Sequence, residues 1–367
     1  MSMRTLPGPN AFKLGLFGLN TDGGIAITKV PERWRARWDD IAHVVRLADH
    51  AGFDFLLPIA RWKGYGGETN VRNACFETLT FGAALAAMTE RLFIFSTVHV
   101  PVVHPVFAAK ALTTIDHVSH GRAGLNIVCG WLQSEFAMFG LEQGEHDNRY
   151  GRGHEWYEIL TRIYAEGGRP FDYKGRFYDL KGVVGEPGPV QQPRPFTMSA
   201  ASSPAGRAFA MATSDLLFDT FRDIETGKKQ LEAIAMASAQ AGRAEQLAVC
   251  TAGHVVCRET HAEAEAYYRY YADTHMDAAA VDFHVGMTKA NRIVDAKTLE
   301  DRVRRAAGLS TYKLVGTPEH VAEQLVAIYR AGFAGTTLSF VNFKEELPFF
   351  IERVMPLIRK AGLVWPI

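Results

Sequence analysis

The sequence predicts an α/β fold, a TIM (β/α)8 barrel with insertions. Short runs rich in β-branched and aromatic residues alternate along the chain with helix-length amphipathic segments, which is the pattern of parallel β-α units. There are eight such strand-like runs, the number that closes a barrel of this kind. We expect the 367 residues to form a single domain, 1–367, with insertions at about 167–195 and 276–314.

The elements follow in chain order. The predicted strands are runs of alternating or continuous apolar residues at 12–17, 53–58, 92–100, 123–129, 196–199, 216–220, 249–256 and 336–341. Apolar residues at helical spacing fall between and after them, at 38–51, 75–88, 106–118, 156–164, 204–212, 228–241, 261–274 and 345–361. A further helix should begin after Thr317, a capping residue followed by Pro318.

Two stretches interrupt this alternation. In 171–178, apolar residues alternate about Lys174-Gly175, which predicts a β-hairpin, and a Pro/Gly-rich loop continues to residue 195. The second stretch, 276–314, is too long for an ordinary connector. It is either an active-site lid or a disordered crossing loop; if it is a lid, its deletion should release hydrogen peroxide without oxidation of substrate.

Composition excludes several classes of function. The chain has 47% hydrophobic and 22% charged residues, as globular proteins do, and 40 basic residues balance 40 acidic ones. A neutral protein has no long-range field to attract nucleic acid or a membrane surface, so a small-molecule partner is favoured. The start lacks the pattern of a signal peptide and no run is long enough for a membrane span, so we expect a cytoplasmic protein.

Familiar catalytic motifs are missing from the sequence. The four cysteines contain no C-x-x-C and the thirteen histidines no H-E-x-x-H, so we expect no metal. There is no G-x-G-x-x-G after the first strand, no Walker A loop and no G-x-S-x-G elbow. The Gly64-Tyr-Gly-Gly67 run indicates only a flexible loop. In a barrel, the remaining candidates are polar residues where strands end.

Asn126 and Thr97 are the candidates inside strands. Asn126 lies in the apolar run Leu125-Asn-Ile-Val-Cys-Gly-Trp131, where a buried amide must find a partner, either a ligand or a neighbouring barrel side chain. Thr97 is a good strand former, so a structural role competes with a functional one. Ala60 and Arg61, which follow the second strand, are candidates by position.

A phosphate site is suggested at the fifth strand. The run Ala200-Ala-Ser-Ser-Pro-Ala-Gly206 opens a helix directly after that strand, where free backbone N–H groups suit an anion. Ser202 and Ser203 either cap this helix or bind phosphate. Arg149 and Tyr150, at another helix start, can also bind phosphate oxygens, or belong to a solvated charged face.

These motifs together resemble the bacterial luciferase-like flavin monooxygenases. The resemblance is carried by Asn126-Ile-Val-Cys-Gly-Trp131, Glu135-Phe136, Glu145-His-Asp-Asn-Arg-Tyr150, the Lys174-Gly175 hairpin and the Ser202-Ser203 turn, and it covers nearly the whole chain. It is strongest to two branches, the dimethyl sulfone and alkanesulfonate monooxygenases and the pyrimidine (uracil) monooxygenase. It implies a luciferase-like TIM barrel.

The resemblance also implies a cofactor, partners and site residues. In such two-component systems a separate NAD(P)H:FMN reductase supplies reduced FMN, and the monooxygenase uses O2 to oxidise a small molecule. The bond cleaved would be the C–S bond of a sulfone or sulfonate, or the amide C–N bond of a pyrimidine-like ring. The assembly would be a homodimer or homotetramer. The flavin contacts carried over are Ala60, Arg61, Asn126, Glu135, Arg149, Tyr150 and Ser203, to which we add the neighbouring Ser202.

Thr97 and Asn126 would be the catalytic pair. Similarity to the pyrimidine branch implies that they guide O2 to the central-ring nitrogen of the flavin, and we expect two hydrogen-bond donors there to stabilise developing charge. Phe17, Trp62 and Trp131 would line an apolar wall. Two alternatives remain, a deazaflavin-dependent dehydrogenase on the same fold and a non-catalytic flavin-binding barrel.

Overall fold

The computed structural model describes residues 6–130, 132–141, 146–242, 247–290 and 298–365. Its strands are β1 (Lys13–Phe17), β2 (Phe55–Leu57), β3 (Phe93–His99), β4 (Ala123–Val128), β5 (Phe171–Lys174), β6 (Asp179–Val183), β7 (Phe196–Ala200), β8 (Leu216–Phe218), β9 (Ala248–Cys257), β10 (Tyr312–Gly316) and β11 (Gly335–Ser339). All eight predicted strands are present, within a few residues of their expected bounds.

Eight parallel strands close a barrel, as predicted. The order around it is β1-β2-β3-β4-β7-β8-β9-β11, and β11 returns to pair with β1, with Lys13 opposite Gly335. The carboxyl ends of all eight strands therefore meet at one rim. The TIM-barrel prediction is confirmed, and this rim is where the side chains at strand ends converge.

Helices surround the barrel. They are α1 (Trp38–Ala51), α2 (Thr78–Met88), α3 (Pro105–Val118), α4 (Gln133–Met138), α5 (His146–Ala165), α6 (Pro204–Thr213), α7 (Ile224–Gln240), α8 (His261–Arg269), α9 (Ala278–Ala290), α10 (Leu299–Gly308), α11 (Pro318–Arg330), α12 (Phe343–Arg353) and α13 (Met355–Lys360). Thr317 caps α11 by accepting a hydrogen bond from the His320 N–H, as its sequence predicted. By the criterion of length and apolarity, none of the helices in the described part of the chain could cross a membrane.

The two insertions have different structures. The first contains the antiparallel pair β5–β6, which turns at the predicted Lys174-Gly175 position. The second contains α9, α10 and the start of β10, so the expectation of a disordered crossing loop is wrong for its described residues, while 291–297 lie outside the description. Strand β10 was not predicted from the sequence. It pairs with the carboxyl-terminal half of β9, beyond the point where β8 ends.

The lower half of the barrel is filled by aromatic side chains. Phe55, Phe93, Phe95 and Phe196 form edge-on or tilted ring pairs with centroids 5.3–6.2 Å apart. Such packing excludes water and ligand from this end of the barrel. Above it, the rings of Phe17 and Phe218 lie 5.4 Å apart and form a floor beneath the rim. Any ligand must therefore bind above this floor.

Candidate functional site

A cavity of about 360 Å³ opens at the rim. This volume lies in the range of small-molecule sites, about 300–1,000 Å³. Nearly all of the residues selected from the sequence line it: Ala60, Arg61, Thr97, Asn126, Arg149, Tyr150, Ser202 and Ser203. They come from the loop after β2, from β3, β4 and α5, and from the turn after β7, and closure of the barrel brings them together.

Thr97 and Asn126 are hydrogen-bonded neighbours. They are register partners on the parallel pair β3–β4, and Asn126 Nδ2 donates to Thr97 Oγ1 over 3.1 Å. The Thr97 hydroxyl in turn donates to the Pro58 carbonyl oxygen at 2.6 Å. Because a carbonyl oxygen only accepts, the hydroxyl hydrogen is already used, and the expectation that Thr97 donates into the cavity is wrong.

The same contacts fix the orientation of the Asn126 amide. Since Thr97 Oγ1 can only accept from it, the Nδ2 atom faces β3 and the Oδ1 atom faces away. Asn126 Oδ1 is buried and has no hydrogen-bond partner among the described residues. A buried acceptor without a partner is costly, so this atom on the cavity wall is suited to a donor group of a ligand.

The opposite side of the cavity has an anion-binding geometry. Ser203 caps α6, its hydroxyl accepting from the Gly206 N–H at 3.1 Å, and Tyr150 Oη lies 3.4 Å from Ser203 Oγ. A Cβ at Gly206 would lie 2.8 Å from Tyr150 Oη and 2.9 Å from Ala201 Cβ, so only glycine fits this close approach. The positive end of the α6 dipole and a phenol hydroxyl thus meet in one concave corner.

Ser202 has a different partner from Ser203. Its hydroxyl donates to Asp219 Oδ1 at 2.8 Å, and Arg207 Nη2 donates to Asp219 Oδ2 at 2.7 Å. Burial is the main influence on Asp219 and raises the pKa of its carboxyl, although Arg207 opposes the shift. In this arrangement Ser202 positions the turn through Asp219, which also accepts from the Thr220 N–H.

Glu135 does not line the cavity. Its carboxylate is fully buried beneath the loop after β2, accepts from the Trp62 N–H at 2.8 Å, and lies 3.8 Å from Arg61 Nη1. His99 lies beside it, with Nδ1 3.9 Å from Glu135 Oε2. Burial first and Arg61 second lower the His99 pKa to about 3, so this imidazole is neutral at physiological pH. Here Glu135 holds Arg61 and its loop.

A polar group that was not predicted from the sequence lies where α9 and α10 border the cavity. Tyr65, in the loop regarded only as flexible, lies with Arg72, His284 and Arg305 on the cavity wall. Each is at most 5% exposed. Nothing in the local sequence marks these residues, because Arg72 follows β2 while His284 and Arg305 lie on α9 and α10.

The apolar wall is confirmed only in part. Phe17 lines the cavity, whereas Trp62 packs against Phe139 with ring centroids 4.9 Å apart and does not reach it. Trp131 lies outside the described residues. Among the residues that the structure describes, no cluster of three His, Cys, Asp or Glu side chains could hold a metal ion.

Comparison with known proteins explains this geometry. The family model described as "Luciferase-like monooxygenase" matches residues 13–335, which include seven of the eight barrel strands and reach the first residue of β11. The chain belongs to this family. The family resemblance inferred from the Asn126–Trp131 and Ser202-Ser203 motifs is thereby confirmed.

Individual relatives match over almost their entire length. The FMNH2-dependent dimethylsulfone monooxygenase of Pseudomonas fluorescens is 31% identical over 358 residues, which cover 95% of each chain. Pyrimidine monooxygenase RutA of Acinetobacter baylyi is 28% identical over 356 residues, 94% of each chain. The crystal structure of a long-chain alkane monooxygenase superposes with a TM-score of 0.85 at 22% identity, covering 97% of this chain and 93% of that one. That last likeness shows the fold alone.

Proposed function

We propose that this protein is an FMNH2- and O2-dependent monooxygenase of the two-component type. A separate NAD(P)H:FMN reductase would supply the reduced flavin. The reaction would cleave a carbon–heteroatom bond, C–S in a sulfone or sulfonate or amide C–N in a pyrimidine-like ring. Support comes from family membership and from relatives of both kinds at 28–31% identity. A homodimeric or homotetrameric assembly stays a prediction.

The residues of the cavity fit reduced FMN. The corner formed by Ser203, Gly206 and Tyr150 suits the phosphate, because a helix N-terminus and a hydroxyl both favour an anion there. Asn126 Oδ1 suits an N–H group of the reduced ring, which oxidised flavin lacks at its central nitrogen. We therefore expect Arg149, Tyr150 and Ser203 to hold the phosphate and Asn126 to contact the ring, with Ala60 and Arg61 beside it.

The observation that carries the proposal is the unpartnered Asn126 Oδ1 atom on the wall of the cavity. A purely structural asparagine in a barrel strand would have both ends of its amide satisfied by protein. In this structure the protein satisfies one end, through Thr97, and leaves the acceptor for a ligand.

The protein contributes binding, orientation and exclusion of water. When bound, reduced flavin supplies the electrons that activate O2. Thr97 fixes the Asn126 amide through the chain of hydrogen bonds that ends on the Pro58 carbonyl oxygen. Phe17 and Phe218 exclude water from the floor of the cavity. Residues of α9 and α10 cover the cavity on the side away from this floor.

The test is oxygen incorporation with a defined panel of substrates. The protein, FMN, NAD(P)H and a flavin reductase are incubated under ¹⁸O2 with dimethyl sulfone, alkanesulfonates, uracil and related amides, and products are followed by mass spectrometry. We expect one labelled oxygen atom to be incorporated for each substrate molecule consumed, with either the sulfur compounds or the amides. Anaerobic titration with reduced FMN and reduced deazaflavin separates the monooxygenase from the dehydrogenase.

Two results would contradict the proposal. If reduced FMN does not bind and reduced deazaflavin does, the dehydrogenase alternative holds. If reduced FMN binds but the panel yields only hydrogen peroxide, as with serum albumin in place of the protein, the barrel binds flavin without turnover on these substrates.

A further inference from the structure

The side of the cavity bordered by α9 and α10 contains an unusual concentration of positive charge. The guanidinium groups of Arg61, Arg72 and Arg305, which we call the arginine cluster, surround the rings of Tyr65 and His284. The two rings are stacked, with centroids 5.4 Å apart. All five side chains are buried or nearly so, and each lines the cavity.

The cluster is held by donor contacts among its members. Arg72 Nη1 donates to Tyr65 Oη at 2.6 Å, and Arg61 also hydrogen-bonds to this phenol oxygen. Arg305 Nη1 lies 3.3 Å from His284 Nδ1. Because an arginine only donates, His284 must be neutral with Nδ1 as the acceptor. Burial, followed by Arg72, Arg305 and Arg61, lowers its pKa well below the ordinary value.

Few carboxylates of the described chain lie near the arginine cluster. Within the described chain, Glu135 lies near Arg61, and neither Arg72 nor Arg305 has a carboxylate within ion-pair distance. The carboxylate that stabilises the charged form of Arg305 is Asp301 on the same helix, and burial outweighs its effect on the Arg305 pKa. Arg72 Nη2 and Arg305 Nε are buried without a hydrogen-bond partner among the described residues. Buried donors of like charge are costly unless a counter-ion pairs with them.

The backbone that presents these arginines is strained. Arg72 has φ +70°, and Leu309 and Ser310, directly after the helix that carries Arg305, have φ +55° and +63°. Non-glycine residues adopt this left-handed region rarely, and such strain is concentrated at ligand-binding sites. Arg72 is tied by its N–H to the Asp22 carbonyl oxygen and by Nε to the Gly24 carbonyl oxygen.

The arginine cluster is separate from the corner at the N-terminus of α6, formed by Tyr150, Ser203 and Gly206, which we call the phosphate corner. Tyr65 and Arg72 follow β2, whereas Ser203 and Gly206 follow β7, and β3 and β4 lie between these two strands in the barrel. Asn126 on β4 therefore lies between the two positive regions. A flavin whose phosphate occupies the α6 corner leaves the cluster for another ligand.

We propose that the arginine cluster binds an oxyanion group of the substrate, a sulfonate or a carboxylate, with Arg72 and Arg305 as its principal donors. The substrate is therefore an anion, unlike dimethyl sulfone and uracil, which are neutral. Guanidinium groups suit this role because their planar N–H pairs match the two oxygens of such a group. The inference rests on the proposed function, since it assigns the substrate class of the same cavity.

Calorimetric binding provides the test without turnover. Ethanesulfonate is titrated into the protein loaded with FMN, so that the phosphate corner is filled, and ethyl methyl sulfone serves as a neutral analogue of nearly the same shape. Propionate distinguishes a carboxylate from a sulfonate. We expect binding of at least one anion and none of the sulfone at the same concentration.

Variants locate the binding. Arg305→Gln should weaken anion binding by about 30-fold or more, the effect of removing one partner of a buried charge pair, with FMN affinity unchanged. Arg305→Lys keeps the charge and should lose less. Arg302→Gln on the same helix is the control, because Arg302 points to the surface and pairs with Asp282. Arg302→Gln should bind the anion as the unaltered protein does.

Several outcomes would overturn the inference while leaving the proposed function standing. One is equal affinity for ethanesulfonate and ethyl methyl sulfone; another is equal anion binding by the Arg305→Gln and Arg302→Gln variants. A tyrosinate absorption band at neutral pH together with no anion binding would show that Tyr65 itself supplies the counter-charge. Failure to bind reduced FMN would instead remove the proposed function, and ethanesulfonate binding to the flavin-free protein would still test the cluster.

Discussion

The amide of Asn126 is oriented by Thr97, which lies opposite it on the neighbouring strand. Its Nδ2 atom donates to Thr97 Oγ1 over 3.1 Å, and the Thr97 hydroxyl donates to the Pro58 carbonyl oxygen. The direction of this chain of hydrogen bonds leaves Asn126 Oδ1 as the polar atom available to a ligand. Thr97 is therefore a positioning residue, and Asn126 is the residue expected to touch the flavin.

Thr97→Val should keep flavin binding and lose productive turnover. Valine has nearly the same shape but cannot accept from the Asn126 amide, which is then free to rotate away. We expect a fall in product formation of about 100-fold, comparable to removal of one preorganised polar contact at a reacting centre. Product per NADH consumed, measured with a reductase present, is the readout.

The control is Thr97→Ser, which retains the hydroxyl and should restore most of the turnover. A merely structural role would make both variants equally active once folded. Unchanged turnover in Thr97→Val with flavin bound would refute the role of this pair.

If the corner formed by Ser203, Gly206 and Tyr150 binds the flavin phosphate, variants of this corner should lose their preference for FMN over riboflavin, which lacks the phosphate. Tyr150→Phe removes a hydroxyl donor, and Gly206→Ala places a Cβ 2.8 Å from Tyr150 Oη. A hydrogen bond to a charged group is worth about 1.5–3 kcal/mol, so the affinity ratio should fall by about 10-fold or more. Flavin fluorescence titration measures both affinities.

Tyr329→Phe is the matched control for Tyr150→Phe. Tyr329 is half-exposed on α11, away from the cavity, and the ratio should not change. If Tyr150→Phe lowers the affinities for FMN and riboflavin equally, the phosphate binds elsewhere.

Glu135→Gln should destabilise the fold. Glutamine can still accept from the Trp62 N–H but leaves Arg61, whose side chain is only 10% exposed, without its negative neighbour. Loss of one partner from a buried ion pair costs about 3–5 kcal/mol. Urea denaturation gives the change in unfolding free energy. Glu323→Gln, exposed on α11, should change it by less than about 0.5 kcal/mol; similar values for both variants would show that Glu135 does not stabilise the buried Arg61.

The buried carboxyl group of Asp54 should make the free energy of unfolding fall as the pH rises. Burial raises the pKa of this carboxyl from 3.8 to about 6, despite the nearby Lys13 and the hydrogen bonds from Asn10 and Leu14. Between those values the folded form holds a proton that the unfolded form has lost. Stability therefore decreases from about pH 4 to about pH 6, by about 3 kcal/mol from this group.

Asp54→Asn should flatten this part of the pH profile of the unfolding free energy. The comparison is with Asp179→Asn, an exposed position on the β5–β6 hairpin, which should retain the slope. Asp219 and Glu346, whose pKa values burial also raises, contribute a slope of the same sign to all the variants. An unchanged profile in Asp54→Asn would contradict the assignment.

The sequence determined the barrel and the positions from which function is built. Alternating strand and helix patterns depend on neighbouring residues, so the eight strands, the Ser203 cap and the Lys174-Gly175 turn follow from local preferences. The polar residues Thr97 and Asn126 stand out for the same reason, since each interrupts an apolar run.

Tertiary structure alone decided what these residues contact. Strand register placed Thr97 opposite Asn126 and turned its hydroxyl to Pro58, and loop packing put Glu135 behind Arg61 instead of on the cavity wall. The pairing of β10 with β9 and the approach of Arg72 to Arg305 join segments far apart in the chain. Local patterns carry no information about such approaches, because closure of the barrel and burial of α9 and α10 determine which distant side chains meet.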